Sequence, residues 1–312
     1  MENFAMTSEQ LQLYTAVVDE FEKLRSLSPE EKEDLIIRIL STPYMDLLCD
    51  WAFKHVFGHN EHNLLLLLND ILPEKIVSIT YDPNEIDRWN GNDKYIIMDV
   101  LAHTEDGRRL VIEMQRADKR YIKNRLFYYG SSMIATQLKP HQSYGKLMPV
   151  YVICFMNFRL RHDEGKLIYT YMMREENGEL YGNQIRVLLC ELPRLISKPK
   201  KSMTPVEAWF DILQNMSIFA GSPEDYGERY RPILETCRQE PIASTDREQY
   251  LRSMIIQEIT SVLSDEDREE AREEARAEGI AEVAKSLRDK GIIPVSTIAE
   301  VCGLSIEQVL AL

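Results

Sequence analysis

The segment YIIMDVLAHTEDGRRLVIEMQ (Tyr95–Gln115) determines the predicted architecture of the core. Its two halves, Tyr95–Ala102 and Arg109–Met114, are rich in Ile, Val and Leu, and Glu105-Asp106-Gly107 lies between them. β-Branched and large apolar residues favour extended backbone, while a short polar segment with a glycine favours a turn. The stretch therefore predicts two antiparallel strands joined by a hairpin turn.

Three polar residues, Asp99, Glu113 and Gln115, interrupt these apolar runs. Burying a carboxylate is unfavourable unless a metal ion, a cation or a proton compensates for its charge. Residues that break a local pattern are concentrated at functional sites. We therefore interpret these three as a candidate site. The alternative is that both strands reach the end of the sheet, where solvent hydrates the acids.

The length of the turn determines whether Asp99 and Glu113 can belong to one site. Side chains alternate between the two faces of a strand, so Glu113 and Gln115 share a face. With a two-residue turn, Asp99 pairs with Met114 and points to the other face. With a three-residue loop and a left-handed Gly107, or with a bulge, Asp99 lies opposite Glu113 on the same face. The sequence permits this second arrangement, which a shared site requires.

Three stretches, in this order along the chain, resemble one protein family. The acid and the later E-x-Q of DVLAHTEDGRRLVIEMQ are similar to the motif of the PD-(D/E)XK nuclease superfamily. The closest resemblance is to its branch of PD-(D/E)XK family transposases, or recombination-promoting nucleases. DWAFKHVFG (Asp50–Gly58) resembles the D-x-x-F-K-x-x-F-G helix of that branch, and NRLFYYGSSMIATQL (Asn124–Leu138) resembles its R-x-x-x-Y helix. The resemblance extends over residues 42–195, with Met98 in place of a proline and Gln115 in place of a lysine.

The resemblance implies an α/β fold with a restriction-endonuclease-like core, in which helices flank a mixed central sheet, and an α-helical C-terminal region. It also implies a metal-dependent DNA endonuclease that hydrolyses phosphodiester bonds. Asp99, Glu113 and the Met114 backbone carbonyl would bind Mg²⁺ or Mn²⁺, which prefer hard oxygen ligands. Asp50 and Gln115 would complete the catalytic set, with Gln115 orienting the attacking water or a phosphate oxygen. The residues expected to contact DNA are Lys54, Arg116, Arg120, Lys123, Arg125 and Tyr128.

The charge balance leaves a second interpretation open. The 312 residues carry a formal net charge of −14, whereas binding to phosphates requires cations. Residues 100–165, however, contain eleven Lys or Arg and six Asp or Glu, so this segment is basic. The alternative to an enzyme is a catalytically weak or inactive DNA-binding or assembly protein that retains the nuclease fold. The overall acidity and the neutral Gln115 favour that alternative.

Composition and helix signals divide the chain into four predicted parts. Residues 1–41 form an acidic helical arm, 42–195 the nuclease-like core, 196–263 a helical extension, and 264–312 a charged helix with a tail similar to a helix-turn-helix. The charged helix is expected over Glu266–Lys285. The last helix of the tail, Ile306–Leu312, offers no cation to a DNA groove. We therefore expect the tail to pack or to form a homo-oligomer rather than to read bases.

The cysteines and the hydropathy pattern indicate the compartment. The five cysteines are scattered and never form a C-x-x-C pair, which argues against a disulfide framework and against a zinc site. No apolar run, Leu64–Leu68 included, approaches the length of a membrane span. The sequence therefore predicts a cytoplasmic protein without a membrane partner.

Overall fold

The computed structural model describes residues 6–83, 85–86, 96–118, 121–161, 165–259, 285, 287–288, 294–302, 304 and 306–311. The chain divides into two compact units, Met1–Gln257 and Glu258–Leu312. The larger unit is an α/β fold in which helices accompany a mixed sheet, as the sequence predicts.

A six-stranded mixed sheet lies at the centre of the larger unit. The strands among the described residues are β1 (Ile79–Tyr81), β2 (Glu85–Ile86), β3 (Ile96–Ile97), β4 (Val100–Thr104), β5 (Arg109–Gln115), β6 (Val150–Met156), β7 (Ile168–Arg174) and β8 (Leu180–Glu191). The sheet order is β1-β4-β5-β6-β8-β7, and β2 pairs separately with β3. Pairing is parallel between β5, β6 and β8 and antiparallel elsewhere, which makes the sheet mixed.

Capping residues fix the starts of several helices. The helices among the described residues are α1 (Ser8–Asp19), α2 (Pro29–Leu40), α3 (Asp50–Phe57), α4 (Glu61–Ile71), α5 (Ile122–Ala135), α6 (Pro205–Asn215), α7 (Arg231–Thr236), α8 (residues 244–259), α9 (Val295–Cys302) and α10 (Ile306–Ala311). Thr7, Ser28 and Thr204 each form a capping box at the start of α1, α2 and α6. Their hydroxyls accept hydrogen bonds from N–H groups that have no partner inside the helix, so these starts are encoded locally.

The turn between β4 and β5 is the three-residue loop that a shared site requires. The Thr104 N–H donates to the Arg108 carbonyl over 2.9 Å, and Gly107 has a φ of 88°. Glycine adopts this left-handed conformation without the steric penalty of a Cβ. Val100 pairs with Ile112 in the ladder, and the same register brings Asp99 opposite Glu113. Of the two registers that the sequence permits, the structure therefore has the one that a shared site requires.

Apolar side chains cover both faces of the sheet at its central strand, β6. On one face, Leu126 and Met133 of α5 pack against alternate residues of β6 such as Val152 and Cys154. From the other direction, the Phe53 ring of α3 lies 6.3 Å from the ring of Phe155, which points away from α5. Every residue of β6 is buried, as expected for a central strand covered on both faces.

Two strands and one helix have other bounds in the structure than the sequence predicts. The strand expected over Tyr95–Ala102 is broken at residues 98–99, because the Asp99 carboxylate accepts a hydrogen bond from the main chain of β5. The apolar pattern of residues 75–81 predicts a strand that starts at Lys75, but β1 begins only at Ile79, since Glu105 accepts the N–H groups of residues 77 and 78. The sequence pattern of residues 116–139 predicts one helix, whereas the observed helix, α5, runs from Ile122 to Ala135.

The smaller unit contains α9 and α10. Ile298 and Ala299 of α9 pack against Val309 of α10, and the Leu304 N–H donates to the Ala299 carbonyl. The charged helix predicted over Glu266–Lys285 lies outside the described residues, apart from Lys285. Of the helices in the described part of the chain, none is both long and apolar enough to cross a membrane.

Candidate active site

Three carboxylates meet where α3, β4 and β5 converge. Asp50 is the first residue of α3, Asp99 lies in the break before β4, and Glu113 is near the end of β5. The Asp99 N–H donates to Glu113 Oε1 over 3.2 Å, and the Met114 N–H donates to Asp99 Oδ2 over 2.8 Å. Lys54 Nζ lies 3.0 Å from Asp50 Oδ2 and 3.5 Å from Asp99 Oδ1. The predicted acids are therefore brought together, and Asp50 joins them through Lys54.

The two strand acids are poorly stabilised in their charged forms. Burial, the Glu113 carboxylate and Asp50 together hold the pKa of Asp99 well above its usual range. Burial raises the pKa of Glu113 to about 7, although the Arg125 guanidinium opposes the shift. Burial and neighbouring like charges both disfavour a carboxylate, and such perturbed acids cluster at functional sites. A cation bound between these acids would relieve this unfavourable charge.

Gln115 lies on the same face of β5 as Glu113. Its Nε2 atom donates to Glu113 Oε2 over 3.3 Å, and its side chain is buried. A glutamine offers both donors and an acceptor but cannot carry charge or take a proton. Gln115 therefore fixes the orientation of the Glu113 carboxylate and leaves the charge of the site unchanged.

Arg125 approaches the carboxylates from α5 and retains unused hydrogen-bond donors. Its Nε and Nη2 atoms are buried without a hydrogen-bond partner among the described residues. The guanidinium carbon lies 6.0 Å from the centre of the Tyr129 ring, one helical turn further along α5. Burial and the Glu113 charge raise the pKa of Tyr129. The sequence prediction selects Tyr128 and overlooks Tyr129. Tyr129 lies four residues after Arg125, so the side chains of Arg125 and Tyr129 share one helical face.

The other residues expected to contact DNA differ from one another in their exposure and in their partners. Arg116 Nη1 lies 3.3 Å from Asp46 Oδ2, so Arg116 forms an ion pair with the segment that precedes α3. Lys123 and Tyr128 are exposed on α5. Arg120 lies outside the described residues.

Helix α8 holds the segment that carries Asp50, which short-range sequence patterns did not reveal. The Tyr250 hydroxyl accepts the Asp46 N–H over 2.9 Å, and Ser253 Oγ accepts the Trp51 N–H over 3.3 Å. Gln257 Nε2 donates to the Leu48 carbonyl over 2.6 Å. The first residues of α3 thus receive a cap from a distant helix, since the N-cap residue of α3 makes no side-chain cap.

The chemistry of the donor set suits a divalent cation with oxygen ligands. Asp99 and Glu113 supply carboxylates, and the Met114 N–H points toward Asp99. The N–H and C=O of one residue in a strand point to the same side, so the Met114 carbonyl faces the Asp99 end of β4. In the described part of the chain, no group of three or more His, Cys, Asp or Glu side chains forms a metal site by itself. Mg²⁺ commonly binds through one or two carboxylates, with water and substrate oxygens as further ligands. The carboxylates of Asp99 and Glu113 therefore fit a Mg²⁺ ion.

Comparison with known proteins identifies one family. A family model described as "PD-(D/E)XK nuclease family transposase" matches residues 47–278, well over half of the chain. No curated protein and no solved structure matches the chain at a significant level.

Proposed function

Because the chain belongs to the PD-(D/E)XK nuclease family transposases, we propose that it is a metal-dependent DNA endonuclease that hydrolyses phosphodiester bonds. The observation that carries this proposal is the convergence of Asp50, Asp99 and Glu113, with the pKa values of Asp99 and Glu113 raised. Burying Asp99 and Glu113 together is unfavourable in the absence of a cation, and such an arrangement persists where a site requires it.

The residues of the chain would act on the reacting groups in distinct ways. Asp99, Glu113 and the Met114 carbonyl would hold Mg²⁺ or Mn²⁺. The ion supplies a positive charge that polarises the scissile phosphate and lowers the pKa of the attacking water. Gln115, already bonded to Glu113, would orient that water or a phosphate oxygen through its amide.

Arg125 is the residue best suited to hold a DNA phosphate. Two of its guanidinium nitrogens, Nε and Nη2, are buried and have no hydrogen-bond partner among the described residues. A guanidinium forms strong, directed hydrogen bonds with phosphate oxygens. Unsatisfied buried donors are unfavourable, so a phosphate that enters beside Glu113 would supply the missing acceptors. Lys123 and Tyr128, which are exposed on the same helix, would contact the strand further out, and Arg120 remains a proposed contact.

The nuclease core is proposed to span residues 42–195, with the helical extension over 196–263 and the tail over 264–312. The protein is proposed to act in the cytoplasm. The proposed reaction is hydrolysis alone, because none of the groups described at the site is specific to strand transfer, which transposition requires.

We expect the helical tail to contribute assembly rather than DNA specificity. Ile306 and Leu310 of α10 are 51 % and 60 % exposed, one helical turn apart, while Val309 packs inward. Deleting residues 295–312 should reduce the oligomer mass measured by light scattering and leave DNA affinity nearly unchanged. A large loss of affinity at constant mass would contradict this expectation.

Gln115→Ala is expected to slow plasmid cleavage by about a hundredfold, the typical effect of losing one oriented hydrogen bond near developing charge. Some activity should remain, because the metal ligands are intact. Gln115→Lys should retain activity, since the motif of the PD-(D/E)XK nuclease superfamily has lysine at this position. Initial rates of nicking of supercoiled plasmid measure both effects. Activity of Gln115→Ala as low as that of a ligand variant would assign Gln115 a larger role than orientation.

A further inference from the structure

The ammonium of Lys54 lies between two of the three carboxylates. It is 3.0 Å from Asp50 Oδ2 and 3.5 Å from Asp99 Oδ1. The Lys54 side chain is 27 % exposed and the Asp50 side chain 59 %, whereas Asp99 is 13 % exposed. Lys54 therefore connects the buried acid to the open edge of the site.

The charge of Lys54 is well supported in this environment. Burial alone would lower the pKa of Lys54, but the Asp99 and Asp50 carboxylates more than offset this and raise it. Asp99 otherwise faces Glu113 and Asp50, which repel its charge. Lys54 is thus the group that partly neutralises Asp99 when no other cation is present.

We propose that Lys54 is the internal counter-ion of the metal-free site and that a divalent cation displaces it from Asp99. The proposal rests on the proposed function, since it assigns a ligand role to Asp99. A divalent ion on Asp99 and an ammonium 3.5 Å from the same carboxylate repel each other strongly in a partly buried site. The ammonium therefore leaves Asp99 when the ion binds.

Asp50 determines where the displaced ammonium goes. Asp50 and Lys54 are four residues apart on α3 and remain neighbours whatever Asp99 binds. Because the Asp50 side chain is mostly exposed, the ammonium moves to the open edge of the site. There it can meet the anionic backbone of an arriving DNA strand. Lys54 thus changes from a partner of the metal ligands into a partner of the substrate.

Metal affinity tests this proposal independently of cleavage. Lys54→Met keeps the aliphatic stem but removes the competing charge, so binding of Mn²⁺ and Mg²⁺ should become about tenfold tighter, a change of ~1.4 kcal/mol. Isothermal titration calorimetry on the full chain, with MnCl₂ and MgCl₂ at constant pH, measures the dissociation constants. The metal-free variant should also melt at a lower temperature than wild type, and the rise in its melting temperature on adding metal should be larger.

Two further variants serve as controls. Lys32→Met makes the same change in net charge at the Lys32–Asp19 ion pair between α2 and α1, and it should leave metal affinity unchanged. Lys54→Arg keeps the charge and should bind metal as weakly as wild type. Unchanged or weaker metal binding by Lys54→Met, or equal tightening by Lys32→Met, would overturn the counter-ion role alone. Absence of metal binding by wild type would instead overturn both this inference and the proposed function.

Discussion

Glu113→Gln is expected to reduce DNA cleavage more than about a thousandfold, because the variant loses a charged metal ligand without a change in shape. Asp99→Asn should have an effect of similar size. Both amides fit the volumes of the acids they replace, so the loss cannot be assigned to a cavity. Single-turnover cleavage of a labelled duplex in Mg²⁺ measures the rates.

The control for this prediction is the folding of the same variants. The buried acids repel one another in the metal-free protein, so neutralising one of them should leave the thermal midpoint unchanged or raise it. Circular dichroism melts in the presence of a chelator measure this midpoint. Cleavage by Glu113→Gln within tenfold of wild type would show that Glu113 does not ligate an essential metal.

The metal-free protein is expected to lose stability as the pH rises through 7. The pKa of Glu113 is raised from 4.5 to about 7 in the folded protein, so the folded state binds more protons than the unfolded state between these values. A group whose pKa is raised in the folded state, such as Glu113, contributes stability that is fully present below pH 4.5 and is lost as the pH rises through about 7. The loss attributable to this group is on the order of 3 kcal/mol. Asp99, whose pKa is also raised, adds to the effect in the same direction.

Urea unfolding at a series of pH values, in the presence of a chelator, measures this loss. Glu113→Gln serves as the matched variant, because it removes the titrating group and keeps its volume. The difference in unfolding free energy between variant and wild type should grow from below pH 5 to above pH 7. Parallel plots of unfolding free energy against pH for the two proteins would mean that the pKa of Glu113 is near its usual value. Neighbouring groups in the fold would then offset the unfavourable effect of burying its charge.

The local parts of the site were accessible from the sequence. The hairpin allowed two registers, and the glycine at position 107 made the observed one possible, since the three-residue loop requires a left-handed residue there. The pairing of Asp50 with Lys54 follows from their spacing on a helix. Arg125 and Tyr129 share a face for the same reason. These relations depend on a few neighbouring residues and on fixed backbone periodicity.

The long-range parts could not be predicted in the same way. The ion pair of Arg116 with Asp46 and the cap that Ser253 gives to α3 join positions far apart in sequence. Such contacts depend on how whole elements pack, which periodicity does not determine. The break at Asp99 also escaped prediction, because strand propensity favours a continuous Tyr95–Ala102. A side-chain acceptor replaced a ladder hydrogen bond at that point.

Nicking of supercoiled plasmid by the purified wild-type chain distinguishes an active nuclease from an inactive protein with the same fold. The reactions contain Mg²⁺, Mn²⁺ or a chelator, and Asp99→Ala is assayed beside wild type under each condition. We expect wild type to convert the plasmid to the nicked form with either metal, and both the chelator and Asp99→Ala to abolish this conversion. If wild type nicks no faster than Asp99→Ala with either metal, the site is not catalytic. The chain would then be a DNA-binding or assembly protein that retains the nuclease fold.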